Sequence, residues 1–350
     1  KKKDKMGFEK YFTSSGCNCP ELNTVKIPLK DGKLESKIDL PEEVKDKIIF
    51  CVNDNGISIE VLANCFVEIP LQIQNIISSK AESINSIKLN QNSHLKLVHC
   101  DDSLPNAVCE QHNKLEVVLN DGASLDYYKL ENINDFSSIY TNVNFTLGKD
   151  SALKTFGLSL NGQITSNKIN VKFTQSGASA DLNGLYLIDK QQKSSTEVKV
   201  MHCSPDCTSR QLFKGIADDV SQADFQGHIF VDYGAKGTEA LQSSKNMQLT
   251  DKAKVNTQPF LEIYNDDVKC SHGATVGQLD KEALFYLKSR GISDRSAKML
   301  LMYAFCEEVL AKSDIVELKE SLGDLIKRRL NGELLSCGEC VFQCSKTSEE

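Results

Sequence analysis

Cys270 and His272 stand two residues apart in the run Asp266-Asp267-Val268-Lys269-Cys270-Ser271-His272-Gly273-Ala274-Thr275. On a β-strand alternate residues share a face, so this spacing sets a thiol and an imidazole side by side. That pair suits soft or borderline metals, iron–sulfur chemistry included. Two ligands make half a site, which a second subunit would have to complete. A buried strand with a satisfied histidine is the competing reading of the same residues. Gly273, next to the histidine, would let another backbone approach closely.

Two further constellations could hold metal. Cys337, Cys340 and Cys344 follow a C-x2-C-x3-C spacing, which can present three thiolates to one metal or cluster. No fourth ligand is evident nearby, and a thiol-bearing tail is the alternative. His202, Cys203 and Cys207 also lie close together, but Pro205 marks a turn between them. The expectation there is structural, with His202 packed at a corner of the fold. Cys17-Asn18-Cys19 offers too few ligands for zinc. Signatures of self-contained catalysis are absent: there is no phosphate loop, no Gly-x-Gly-x-x-Gly, no His-Glu-x-x-His and no Gly-x-Ser-x-Gly. The acidic pairs Asp218-Asp219 and Asp266-Asp267 are adjacent, so on a strand they point to opposite faces and cannot converge on a sugar.

The elements that carry these residues are short strands. Ile48–Val52 and Ile57–Val61 flank Asn53-Asp54-Asn55-Gly56, a strong turn sequence. From residue 84 alternating strands recur, among them Leu95–Val98, Leu115–Leu119, Val143–Leu147, Ile169–Phe173, Val198–Met201 and Ile229–Val231. Similar corners separate them: Asn120-Asp121-Gly122-Ala123, Gly148-Lys149-Asp150-Ser151-Ala152 and Gln175-Ser176-Gly177-Ala178. Ala123, Ala152 and Ala178 are spaced by 29 and 26 residues, the mark of a stacked coil with a small residue inside each bend. A β-sandwich would also give many short strands. The recurring corner favours a mainly β chain with a right-handed parallel β-helix core. After residue 278 the apolar period becomes helical. Asp280 and Ser293 can cap helices, Gly291 can end one, and Lys327, Arg328 and Arg329 suit a helix C-terminus. The expected organisation is a mixed region at 1–83, a β-helix at 84–277, a small α-helical domain at 278–332 and a Cys-rich tail at 333–350.

Composition narrows the function classes. The 350 residues carry a net charge of −7, which argues against a general nucleic-acid binder or a partner for anionic membranes. No run approaches the length of a membrane span. Thirteen cysteines with no secretory signal read as reduced thiols in a cytosol-like compartment. The chain opens at Lys1 without methionine, as expected of a fragment lacking its natural start.

Gln258-Pro259-Phe260-Leu261-Glu262-Ile263-Tyr264 leads into the Cys270/His272 run, which continues as Leu284-Phe285-Tyr286-Leu287-Lys288-Ser289-Arg290-Gly291-Ile292. Together these residues resemble the signature of the SufB/SufD family of iron–sulfur cluster assembly scaffolds. His202, Ser209-Arg210-Gln211, Phe213-Lys214-Gly215, Phe225-Gln226-Gly227 and Gln242 are similar to the family's β-helix landmarks. The resemblance covers residues 84–330 well and 1–80 poorly. It lies on the SufD side: Gly273 follows the histidine where SufB-like chains have Glu, and Lys252-Ala253-Lys254-Val255 lacks a SufB-type cysteine. Ala235-Lys236-Gly237 departs from the usual Ala-Gln, and the amino-terminal helical region is short or missing.

The resemblance implies a non-catalytic scaffold in the cytoplasm, or in an organelle if a transit peptide has been removed. Its implied partners are a SufB-like paralogue, met at the end of the β-helix, and a SufC-like ABC ATPase docked on the helical domain. Tyr286, Arg290 and Phe305 are the expected docking residues. His272, with Cys270 second, is the expected contributor to a transient iron–sulfur cluster at the subunit interface, none being held tightly by the isolated chain. Two alternatives remain: a SufB-like or homodimeric scaffold that binds the cluster itself, and, from another class, a carbohydrate-active β-helix enzyme.

Overall fold

Strands too short to stand alone, joined by corners rich in Asn, Asp and Gly, gain stability by stacking coil upon coil. A computed structural model describes residues 22–38 and 40–331. The strands are β1 (Val25–Lys30), β2 (Lys33–Leu34), β3 (Ile48–Asn53), β4 (Gly56–Val61), β5 (Leu71–Ile77), β6 (Lys80–Leu89), β7 (His94–Ser103), β8 (Glu110–Leu119), β9 (Ser124–Asn132) and β10 (Ser138–Leu147). They continue as β11 (Ala152–Asn161), β12 (Ile164–Phe173), β13 (Ser179–Ile188), β14 (Lys193–His202), β15 (Thr208–Ala217), β16 (Gln222–Val231), β17 (Thr238–Gln248), β18 (Lys254–Ile263) and β19 (Val268–Gly277). A four-residue helix, α1 (Glu42–Lys45), precedes β3.

From β4 onward consecutive strands alternate between two sheets, ordered β19-β17-β15-β13-β11-β9-β7-β5-β1-β2 and β18-β16-β14-β12-β10-β8-β6-β4-β3. Pairing is parallel except in the hairpins β1–β2 and β3–β4. Glu110, Ser138, Ile164, Lys193, Gln222 and Lys254 pair in turn, giving coils of 28, 26, 29, 29 and 32 residues. This is a parallel β-helix, and parallel pairing on both sheets excludes the sandwich. The parallel pairing already includes β1, which lies beside β5.

The corner that opens each strand of the first sheet carries a column of small, buried residues: Ser93, Ala123, Ser151, Ala178, Cys207 and Thr238, none more than 1% exposed. Ala152, expected in that column, is instead the exposed first residue of β11. Serine can replace alanine inside the bend because its hydroxyl is satisfied locally. Ser151 Oγ donates to the Gly148 carbonyl at 2.9 Å, and Ser93 and Thr238 do the same three residues back, at 2.6 and 2.8 Å. Just outside this column Asn92, Gly122, Asp150, Gly177, Asp206 and Gly237 all take positive φ. Asx and Gly alternate because each Asx side chain lies where a Cβ on the next coil's glycine would sit.

The interior has two chemical halves. One is a stack of apolar columns, such as Leu89-Leu119-Leu147-Phe173 and Ile87-Val117-Phe145-Val171-Val200-Ile229. Each fully buried Leu, Val or Phe contributes about 2 kcal/mol through burial. The other half is polar, with Asp101, Glu131 and Ser159 on one sheet facing Asn113, Thr141 and Asn167 on the other.

His202 interrupts the first of these apolar columns, lying between Phe173 and Val231. Its ring stacks on Phe173 at 4.5 Å, Nε2 meets Ser209 Oγ at 2.9 Å, and Nδ1 has no partner. This matches the structural reading of the residue. Burial holds its pKa down at about 4. Its contribution to stability is therefore complete above pH 6.5 and is lost as pH falls towards 4, because the unfolded chain binds the proton first. Unfolding titrations should show a loss of about 3 kcal/mol across that window. His202→Leu should flatten it, and an unchanged pH slope in that variant would refute the assignment.

A second compact unit begins at Leu279. It holds α2 (Lys281–Ser289), α3 (Asp294–Leu310) and α4 (Val316–Leu330). Asp280 caps α2 by accepting from the Glu282 and Ala283 amides at 2.9 and 3.0 Å. Ser293 caps α3 by accepting from Ser296 N at 3.1 Å, and Gly291 takes φ +86° between the two helices. Leu318, Leu322, Leu325 and Ile326 form the buried stripe of α4.

Candidate functional site at the last coil

Among the described strands, the last coil is paired on one side only. β18 pairs with β16, β19 pairs with β17, and each is the outermost strand of its sheet. Along β17 the inward positions Ala240, Gln242, Ser244 and Asn246 are at most 4% exposed. Register places Cys270 over Ala240 and His272 over Gln242. Both residues therefore continue inward columns past the point where another coil would cover them. Across the coil Thr257, Pro259 and Leu261 continue the inward positions of β16.

The two candidate ligands differ in setting. Cys270 is half-buried against Ile229, Val231, Ala235 and Ala240, and burial pushes its thiol pKa up. His272 is exposed. The structure thus brings the pair to one open rim, with the imidazole free and the thiol partly withdrawn. A Cβ on Gly273 would meet nothing within 4 Å among the described residues, so none of their backbone uses the approach that glycine permits. Among the described residues no three His, Cys, Asp or Glu side chains converge as a metal site.

Beneath the rim, polar groups tie the last strands together. Gln242 Nε2 donates to Gln211 Oε1 at 2.8 Å, while Gln242 Oε1 has no partner. Ser244 and Thr257 hydroxyls meet at 3.2 Å, bridging β17 to β18. Asn246 Nδ2 donates to Ser244 Oγ at 3.1 Å and reaches the Thr275 carbonyl of β19 at 3.5 Å. Its Oδ1 accepts from Tyr186 OH at 2.6 Å, two coils below. Two glycines allow this. A Cβ on Gly215 would occupy the Tyr186 ring, and one on Gly227 would occupy the Gln242 amide. Phe213 and Phe225 pack beside them at 5.0 Å between ring centroids. Of the landmarks read in the sequence, Gln211, Phe213, Gly215, Phe225, Gly227 and Gln242 are thus residues that make room for, or fill, the floor of the last coil.

The outer surface near the same end carries an aromatic patch that sequence reasoning did not assemble. Tyr264 stacks near Tyr233 (5.0 Å) and Phe230 (5.7 Å), and Tyr233 is 73% exposed. Glu262 accepts from Tyr264 OH at 2.7 Å and from His228 at 3.1 Å, and these bonds hold its carboxyl below the usual range. The signal was a coil-length spacing of aromatics, which is visible only once the coil length is known.

Tyr286 and Arg290 meet on one side of α2, the guanidinium donating to Tyr286 OH at 3.2 Å and lying 5.2 Å from its ring centre. Phe285, beside them, is 75% exposed. Phe305 lies on α3 and is half-buried. Cys337, Cys340 and Cys344 lie outside the described residues.

Residues 76–305 match the family described as SUF system FeS cluster assembly, SufBD core domain. The iron–sulfur cluster assembly protein SufD of Escherichia coli is 34% identical over 210 residues, 60% of this chain and 50% of that protein. The SufD of Bacillus subtilis is 27% identical over 319 residues, 87% of this chain and 70% of that protein. A chloroplastic Arabidopsis thaliana protein, ABCI7, is 30% identical over 217 residues, 61% of this chain and 45% of its own. The chain thus spans about half the length of the Escherichia coli and Arabidopsis proteins it matches. No described helix is long and apolar enough to cross a membrane.

Proposed function

The chain belongs to the SufBD core family of the SUF iron–sulfur cluster assembly system, and on that premise we propose that it is a non-catalytic scaffold subunit that contributes half of a cluster-building site. The observation that carries this reading is the last coil, whose outer edge no described strand pairs with, and where Cys270 and His272 share one rim with no third ligand converging on them among the described residues. A SufB-like paralogue would cover that rim and supply the other ligands. The cluster is cargo, built there from iron and sulfur and then passed on. A SufC-like ATPase would dock on the helical unit near Tyr286 and Arg290. β19 ends at Gly277 and α2 starts at Lys281, so the ATPase would act on a segment that follows the rim directly in the chain. The setting is the cytoplasm or an organelle.

Co-expression with a SufB-like chain and a SufC-like ATPase tests this. The three should purify together, and the complex should gain iron and acid-labile sulfide that the isolated chain does not hold. Removing residues 279–330 should release the ATPase. Stoichiometric iron and sulfide on the isolated chain would overturn the half-site and favour a scaffold that binds the cluster alone.

A further inference from the structure

Gln242 lies directly beneath His272 in the inward column, as its register partner on β17. It is 4% exposed, and its two amide atoms have different settings. Nε2 donates to Gln211 Oε1 at 2.8 Å, one coil towards the amino terminus. That bond holds the nitrogen and makes the oxygen the free end of the amide. Oε1 is enclosed and has no donor among the described residues. A buried carbonyl oxygen without a donor costs stability, and folded chains seldom keep one. The coil nevertheless makes room for it, since a Cβ on Gly227 of the facing sheet would collide with this amide.

The inward positions of the last coil supply one strong side-chain donor. On β19 they are Cys270, His272 and Ala274, above Ala240, Gln242 and Ser244. On β18 they are Thr257, Pro259 and Leu261. The Thr257 hydroxyl is engaged with Ser244. Ala274, Pro259 and Leu261 have no side-chain donor, and a thiol is a weak one. Neighbouring strands are about 4.8 Å apart, so an imidazole turned into the coil reaches the amide below it.

We propose that Gln242 is a positioning residue for the shared site. When a partner covers the rim, one ring nitrogen of His272 donates its proton to Gln242 Oε1 in a hydrogen bond, and the other ring nitrogen faces the iron. The proposal rests on the half-site reading of Cys270 and His272. An imidazole whose outer N–H is held has one tautomer and one orientation, so its lone pair is already aimed at the metal. The unpaired oxygen of the open chain gains its donor on assembly, which favours the covered state over the open one.

The test uses the complex with the SufB-like chain and the SufC-like ATPase, this chain alone carrying isotopically labelled histidine. Pulsed electron paramagnetic resonance of the reduced cluster should show coupling to a labelled ring nitrogen, which His272→Ala removes. Gln242→Leu should leave co-purification unchanged and lower iron and acid-labile sulfide per complex by about tenfold or more. Gln242→Glu keeps an oxygen acceptor, and Gln211 Nε2, which has no partner, can bond to it. This variant should restore the cluster and shift the nitrogen coupling, because a carboxylate is the stronger acceptor. A residue that only braced the floor of the coil would leave that coupling unchanged. Should Gln242→Leu fail to fold, the coupling in Gln242→Glu decides alone. Undiminished cluster content in Gln242→Leu, or an unshifted coupling in Gln242→Glu, would overturn the proposal and leave the half-site standing. No labelled-nitrogen coupling, with cluster content untouched by His272→Ala, would instead overturn the half-site and the proposal with it.

Discussion

Replacing Lys129 with methionine should destabilise the chain by about 3–5 kcal/mol, the usual consequence of stripping the partner from a buried charge. Asp101 is fully enclosed in the coil interior. It accepts from Lys129 Nζ, from Asn75 Nδ2 at 2.7 Å and from Asn113 Nδ2 at 3.1 Å, and His99 Nε2 lies 3.6 Å away. Burial alone would raise its pKa, but the charge of Lys129 and the contact with His99 outweigh burial and hold the carboxyl well below the usual range. Stability from Asp101 is therefore present above the ordinary carboxylate pKa and is lost as pH falls below it. Methionine fills the space of lysine but leaves Asp101 with neutral donors only. Urea titration should show the loss as a lower midpoint. The paired change Lys129→Met with Asp101→Leu should recover most of it, because no charge is then left behind. A single-variant loss under about 1 kcal/mol would mean that Asn75 and Asn113 already satisfy the carboxylate.

The same interior explains what could be read from the sequence. Strands β8, β10, β12, β14 and β16 announced themselves through alternating Leu, Val, Ile and Phe, because their inward positions towards one edge are apolar apart from His202. Their partners β9, β11, β13 and β15 did not. Their inward positions pass through Lys129 and Glu131, Gly157 and Ser159, Gly184, and Gly215, which break the alternation a binary pattern depends on. The corners were legible because αL residues and small side chains are restricted types. Their exact register was not, since serine with a hydrogen bond three residues back replaces alanine at no visible cost to the pattern. The helical caps Asp280 and Ser293 were legible because capping is local chemistry.

The candidate site divides in the same way. Period-2 spacing put Cys270 and His272 on one face, and the register adds that this face is the coil interior laid open at its last turn. Sequence alone gives no reason for Gly215, Gly227 and Gln242. The coil supplies it, since Tyr186 must pass Gly215 to reach Asn246 and Gln242 must lie against Gly227. These contacts link residues separated by one or two coils, a distance along the chain that no local pattern spans.

His272→Ala should leave the fold intact and remove cluster assembly. The imidazole is exposed and takes part in none of the hydrogen bonds among the described residues, so its loss should change stability by less than about 0.5 kcal/mol. The polar bracket of Gln242, Ser244, Asn246 and Tyr186 beneath it does not involve the histidine and should keep β18 and β19 in place. If His272 is a ligand lent to a shared site, its removal should cut iron and acid-labile sulfide per complex by more than about tenfold, since even outer partners of metal ligands cost that much. Co-purification with the paralogue and the ATPase should persist, which separates loss of a ligand from loss of an interface. Cys270→Ser should have the smaller effect. Its thiol is half-buried and its pKa is raised by burial, so the thiolate that binds metal is disfavoured until a partner changes its surroundings. Equal cluster content in the His272→Ala and unmodified complexes would assign the chemistry wholly to the paralogue and leave this rim a docking surface. A cluster lost with Cys270→Ser but kept with His272→Ala would reverse their order and make the withdrawn thiol the ligand.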